Sequence, residues 1–321
     1  MTREDLRIVF FGTPEFAVES LKRLVEGGYN IVGVVTMPDK PAGRGHRLYQ
    51  SPVKEYAVEK GLRLLQPVKL KDPDFVEELR SLRADLQIII AFRMLPEVVW
   101  AMPRLGTFNL HASLLPKYRG AAPINWAVIN GDTETGVTTF FLKHEIDTGD
   151  IIEQRRIPIN RDDNVEQVYD RLMMLGADMV LHTVDDIITD RVKPIPQDRL
   201  LTAGEEPTPA PKIFTDTCRI DWSLPAERVY NLVRGLSPYP SAWTTLRNAD
   251  GKALKLKIFV TGQPLEAHNN RPGTLSVDKK RLYIACVDRM IEIKELQLEG
   301  KRRMTADAFL LGYDMNNATV E

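Results

Sequence analysis

Short apolar runs alternate with amphipathic stretches over the first 190 positions of the chain. Residues 6–11, Leu-Arg-Ile-Val-Phe-Phe, predict a buried strand ended by Gly12. Pro14 falls where a helix tolerates proline, in its first turn. An amphipathic run follows to Val25 and is closed by Gly27-Gly28. The same reading predicts strands over 31–36, 62–65, 85–92, 106–111, 135–142 and 151–157, with helices over 52–60, 72–83, 96–100, 122–129 and 165–188. The Ile-rich run Ile88-Ile89-Ile90 suits the middle of a parallel sheet. This β–α alternation predicts an α/β fold with an open, doubly wound sheet over residues 1–190.

The rhythm then breaks. Residues 191–211 carry Pro194, Pro196, Pro207, Pro209 and Pro211 in a polar stretch, which reads as a linker. Residues 212–321 form a second domain. One helix is expected over 226–236, followed by short strands over 241–246, 254–261, 273–277, 282–285 and 291–298. Short strands at regular spacing with turn residues between them predict a small barrel or sandwich.

Composition narrows the class. Hydrophobic residues make up 43% and charged residues 27%, as in a soluble globular protein. No apolar run approaches the roughly 18–20 residues of a membrane span. The first residues, Met-Thr-Arg-Glu-Asp, lack a signal-peptide pattern, so a cytoplasmic protein with no membrane partner is expected. Cys218 and Cys286 stand apart and read as reduced structural thiols. Net charge is −1, unevenly spread: residues 207–321 hold 17 Lys/Arg against 13 Asp/Glu, while the remainder is acidic. A basic second domain fits a polyanionic partner or, equally, ordinary surface variation.

Candidate chemistry concentrates at the end of the predicted strand over 106–111. Side chains two apart share a strand face, so Asn109 and His111 point together while Phe108 and Leu110 face the packing. A carboxamide beside an imidazole suits acyl transfer: the amide N–H holds a developing oxyanion and the imidazole takes a proton. Asp147, in the turn His144-Glu145-Ile146-Asp147-Thr148-Gly149, could reach His111 across adjacent strand ends, stabilise its imidazolium and fix its tautomer; the alternative is a hairpin turn whose Asp and Gly only make the bend. There is no G-x-S-x-G elbow, and His144 and Glu145 lack further ligands at metal-binding spacing, so no metal is expected. The turn Gly12-Thr13-Pro14-Glu15-Phe16 is not G-x-G-x-x-G, which disfavours a dinucleotide. Residues 39–47, rich in glycine and basic, read either as a solvated loop or as an arm that touches phosphates.

Asn109-Leu110-His111-x-Ser113-Leu114-Leu115-Pro116, followed by Tyr118-Arg119-Gly120-Ala121-Ala122-Pro123, resembles the signature of the folate-dependent formyltransferases, with Asp147-Thr148-Gly149 at the matching distance. Phe11 to Ala17, Pro41 to Gly45, Pro211-Lys212-Ile213, Ile220-Asp221-Trp222 and Arg234 to Pro240 are similar to the members that act on methionyl-tRNA. The resemblance covers nearly the whole chain. It implies a Rossmann-like donor-binding domain and an OB-like barrel that helps hold tRNA. It implies Asn109, His111 and Asp147 as the catalytic trio, and 10-formyltetrahydrofolate as co-substrate, bound by Ser113, Leu114, Leu115, Pro116 and Phe92. It further implies Arg44 as a tRNA contact and methionyl-tRNA as the acceptor; Lys212, in the basic second domain, is expected to meet tRNA phosphates, and a monomer is expected. A sugar-nucleotide formyltransferase and a 10-formyltetrahydrofolate hydrolase are the alternatives. One departure is local: where the family often has a glycine, in backbone that reads the pterin edge, this chain has Arg93.

Overall fold

The computed structural model describes residues 1–42, 47–201, 206–248, 251–315 and 318–321. In chain order the first elements are β1 (Ile8–Gly12), α1 (Glu15–Glu26), β2 (Ile31–Val35), β3 (Lys40–Ala42), β4 (Arg47–Tyr49), α2 (Pro52–Glu59), β5 (Leu64–Leu65) and α3 (Pro73–Ser81). Next come β6 (Leu86–Ile90), α4 (Glu97–Trp100), β7 (Thr107–His111), β8 (Arg119–Gly120), α5 (Pro123–Ile129), β9 (Glu134–Phe141), β10 (Ile151–Pro158) and α6 (Val165–Ile188). Helix starts follow local chemistry. Ser51 Oγ accepts from Lys54 N at 3.1 Å and Asp72 Oδ1 from Asp74 N at 3.0 Å, each just ahead of a proline in the first turn.

Two compact units emerge. The first comprises residues 1–120, 136–157 and 169–209. Its sheet has the order β10-β9-β7-β6-β1-β2-β5. β5, β2, β1, β6 and β7 run parallel, and β9 is antiparallel to β7. Strand order reverses between β1 and β6, so their C-terminal ends form a topological switch point, where ligands bind in open α/β sheets. There β1 ends on Gly12, at which a Cβ would meet the Ala17 Cβ at 2.7 Å and the Ile90 carbonyl at 3.3 Å. The doubly wound sheet is as predicted. A difference lies in residues 39–47, read as a solvated loop or an arm: Lys40–Ala42 pairs as an antiparallel ribbon with Arg47–Tyr49, Lys40 with Tyr49 and Pro41 with Leu48. Arg44 lies outside the described residues.

The second unit comprises residues 121–135, 158–168 and 210–321. After β11 (Pro209–Ala210) come α7 (Ala226–Leu236), β12 (Ala242–Arg247), β13 (Ala253–Thr261), β14 (Leu275–Asp278), β15 (Arg281–Ala285), β16 (Met290–Leu298), β17 (Met304–Thr305), α8 (Ala306–Gly312) and β18 (Thr319–Val320). The strands run β14-β15-β16-β13-β12-β18, and the bridge Thr274–Thr319 closes the ring, giving the predicted barrel. Alternation fills its interior with Leu256, Ile258, Leu282, Ile284, Ile291 and Ile293. On β16 the apolar phase skips from Ile293 to Leu296, and the pairing with β13 shifts register at that point, as a bulge requires. α8 was not predicted. Its seven residues are too short to show a period, and it is held by buried Phe309, stacked on Tyr313 with ring centroids 5.0 Å apart.

Residues 158–168 are stitched to α7. Arg161 forms a bidentate pair with Glu227 (both 2.7 Å), and Tyr230 Oη donates to Asp162 Oδ1 at 2.6 Å. α5 packs on α7 with almost no clearance: a Cβ on Gly235 would lie 2.5 Å from Ile129 Cγ1 and 2.9 Å from the Ile129 backbone nitrogen. Gly235→Ala gains about 1 kcal/mol of helix propensity. Overpacking against a backbone atom that cannot yield costs about 1–3 kcal/mol. The clash is expected to dominate, so Gly235→Ala should lower the melting temperature in calorimetry, and Ile129→Ala in the same chain should recover part of the loss. A melting temperature equal to or above the wild type would show that the helices separate freely.

Candidate active site

β7 brings the first two candidate residues together. It lies between β6 and β9, with Asn109 opposite Ile89 on one side and Phe140 on the other, and His111 opposite Thr138. Phe108 and Leu110 are buried on one face, as expected; Asn109 and His111 share the other. Asn109 Oδ1 is buried and has no hydrogen-bond partner among the described residues. A buried acceptor left unmatched is costly and calls for an explanation, of which a bound ligand is one.

The imidazole of His111 is held by main chain. Its Nε2 lies 2.8 Å from the Tyr118 carbonyl oxygen. A carbonyl can only accept, so Nε2 carries the hydrogen and the lone pair of the neutral ring is on Nδ1. Nδ1 faces Asp147 Oδ2 at 3.9 Å, beyond hydrogen-bond reach but near enough for the carboxylate to attract the ring once it is protonated. Asp147 Oδ2 in turn accepts from Gly120 N at 3.0 Å. Tyr118 and Asp147 both have positive φ, +61° and +55°. Each strained residue costs on the order of 1–3 kcal/mol and persists only where its surroundings over-determine it. Tyr118 acts through its backbone, so the residue pattern of the sequence carried no sign of its role.

The other candidates are placed differently. Residues 113–116 form a turn stapled to the sheet. Ser113 Oγ donates to the Lys117 carbonyl at 2.6 Å, Leu115 N donates to Thr138 Oγ1 at 3.2 Å, and Gln154 Nε2 donates to the Leu115 carbonyl at 2.7 Å. Leu115 and Pro116 are buried and Leu114 is half-buried. Phe92, just past β6, packs edge-on to Phe11 with centroids 5.7 Å apart. Ala91 before it is exposed at φ +47°. Arg93 turns away from β7: its Nη1 donates to the Val68 carbonyl at 2.7 Å and its Nη2 to the Pro67 carbonyl, tying the segment after β5 to the segment after β6. Burial lowers its pKa from the usual arginine value. Lys212 belongs to the second unit, where it is exposed with its ammonium 5.5 Å from the centroid of the Phe214 ring.

Comparison with known proteins gives concordant matches. Residues 6–184 match the formyl transferase family, and residues 212–314 match the formyl transferase C-terminal domain. The chain is 64% identical to the methionyl-tRNA formyltransferase of Phocaeicola vulgatus over 315 residues, which span 98% of this chain and 97% of that protein. It is 61% identical to the methionyl-tRNA formyltransferase of Bacteroides thetaiotaomicron over 99% of this chain and 98% of that protein. Among solved structures, the fold is similar to an N-formyltransferase from Helicobacter canadensis in complex with folinic acid and dTDP-3-aminofucose. The TM-score is 0.66 at 18% identity, covering 90% of this chain and 98% of that one. It is also similar to HypX from Aquifex aeolicus in complex with tetrahydrofolic acid, with a TM-score of 0.63 at 20% identity, covering 97% of this chain and 48% of that one.

Arg93→Ala removes both donors that tie residues 67–68 to the segment after β6. The Asp72 amide, which donates to the Lys69 carbonyl at 3.2 Å, is expected to exchange hydrogen at least about tenfold faster, since the net worth of one charge-assisted bond already exceeds about 1.4 kcal/mol. Unchanged exchange there would show that the segment is held without Arg93.

Proposed function

Since this chain belongs to the formyl transferase family, we propose that it transfers the formyl group of 10-formyltetrahydrofolate to the α-amine of methionyl-tRNA. The observation that carries the reading is the gathering of Asn109, His111 and Asp147 at the C-terminal end of β7, with the buried Asn109 Oδ1 unmatched. Full-length identity of 61–64% to methionyl-tRNA formyltransferases supports this acceptor over an amino sugar.

In the proposed mechanism the amine attacks the formyl carbon directly. Asn109 Nδ2 donates to the developing oxyanion, and its Oδ1 accepts an N–H of the reacting groups. The Tyr118 carbonyl keeps the His111 hydrogen on Nε2, so Nδ1 accepts the proton shed by the amine. The imidazolium then carries N–H toward Asp147 Oδ2, whose charge stabilises it. The donor would lie across the switch-point crevice, against Phe92 and the turn of Ser113, Leu114, Leu115 and Pro116. Because the Ser113 hydroxyl is committed to the Lys117 carbonyl and the Leu115 backbone to Thr138 and Gln154, the turn would act as a preformed wall. Lys212 and Arg44 would meet the phosphates of the tRNA.

The test is a formyl-transfer assay with charged initiator methionyl-tRNA, elongator methionyl-tRNA and UDP-amino sugars compared under the same conditions. Initiator methionyl-tRNA is expected to be the preferred acceptor, and preference for a sugar nucleotide would overturn the reading. Asn109→Ala is expected to lower kcat by roughly 10²–10³, the usual effect of losing an oxyanion donor. Donor affinity should stay nearly unchanged, because the interaction strengthens only in the transition state. A variant that turns over at the wild-type rate would remove Asn109 from the mechanism.

A further inference from the structure

Gln197 sits in a 3-10 turn (Gln197–Leu200), in the stretch the sequence marks as a linker. Its side chain is 2% exposed. A buried carboxamide is costly unless its hydrogen-bonding capacity is met. Here Oε1 accepts from Arg119 Nε at 3.1 Å and Nη2 at 2.7 Å, while Nε2 donates to the Asp147 carbonyl at 2.7 Å and to the Gly149 carbonyl at 2.9 Å. Both acceptor sites and both donor hydrogens are used. The turn is itself anchored: just upstream, Ile195 exchanges backbone hydrogen bonds of 2.9 and 2.8 Å with Ile151 on β10.

These four bonds join the two turns that set the geometry of the site. Residues 118–120 carry the Tyr118 carbonyl that holds His111 and the Gly120 N–H that holds the Asp147 carboxylate. Arg119 lies between them. Residues 147–149 carry Asp147, whose φ of +55° needs outside support, and Gly149, where a Cβ would fall 1.6 Å from the Phe141 carbonyl oxygen. The second turn is therefore pressed against the end of β9 on one side and clamped by Gln197 on the other.

We propose that Gln197 is a positioning residue for the formyl-transfer reaction: one buried amide fixes the 118–120 turn relative to the 147–149 turn, and with them the spacing of His111 and Asp147. The inference rests on the function proposed above. A misplacement of about 1 Å costs on the order of 10²-fold in rate, so Gln197→Ala is expected to lower kcat by roughly 10–100-fold while the affinity for folinic acid, used as a stable donor analogue, stays within about twofold. Gln197→Glu keeps the shape and still accepts from Arg119, but sets a carboxylate against two carbonyls. It should lose rate as Gln197→Ala does, with an unchanged circular dichroism spectrum. The deciding measurement is a double-mutant cycle in single-turnover assays. If Gln197 acts through Asp147, adding Gln197→Ala to Asp147→Asn should cost under about threefold, because coupled residues are not additive. Wild-type turnover in Gln197→Glu, or a full multiplicative loss in the double variant, would overturn the inference. A wild-type chain that cannot formylate methionyl-tRNA would instead defeat the function on which it rests.

Discussion

The Tyr118 carbonyl can accept a hydrogen bond but never donate one, and it stands 2.8 Å from His111 Nε2. That single asymmetry assigns the ring's hydrogen, leaves the lone pair on Nδ1, and turns the basic nitrogen toward a carboxylate. Asp147 need not orient the ring, because the backbone already does. At 3.9 Å it stands clear of the neutral imidazole, where a proton arriving on Nδ1 can be received. In the proposed mechanism the Tyr118 carbonyl stays on Nε2 in both states of the ring, and the charged state adds Asp147 on the Nδ1 side.

This arrangement depends on backbone that side-chain preference alone would not choose. Tyrosine at φ +61° is a genuine outlier, whereas aspartate tolerates the left-handed region better. The strain is held by the parallel strands behind it. β6 and β7 bury Ile88, Ile90, Phe108 and Leu110, so the end of β7 is a fixed base on which the following turns are built. The staple of residues 113–116 to Thr138 and Gln154 extends that base into the segment leading to Tyr118.

How much of this was legible in the sequence varies with the kind of information. Alternation placed Asn109 and His111 on one strand face, and the β–α rhythm placed that strand in an open sheet, because both are periodic properties of side chains. The barrel strands were legible for the same reason, although the bulge between Ile293 and Leu296 on β16 emerged only with the pairing to β13. Closure of the barrel through Thr274 and Thr319 was not, since pairing partners far apart in the chain leave no local trace. The role of Tyr118 belongs to a carbonyl that every residue possesses. Gln197 lies among prolines that mark an irregular segment and hide how firmly part of it is packed. Arg93 could be flagged as a departure from a familiar pattern, but its destination, the carbonyls of Pro67 and Val68, is a tertiary fact.

The close fit of α5 on α7 has a consequence for how the chain comes to be folded. The helix Pro123–Ile129 presents buried Ile124, Val128 and Ile129, yet the glycine that receives Ile129 is Gly235, over a hundred positions later. A ribosome adding about 5–20 residues per second leaves that interval at roughly 5–20 seconds. Throughout it the strands of the first unit are available to pair, while the face of α7 that receives Ile129 does not yet exist. During synthesis, then, the second unit cannot be completed by its own C-terminal residues alone. Until α7 emerges, Ile129 lacks the partner that covers it in the folded unit, and apolar surface of this kind is open to self-association or to a chaperone.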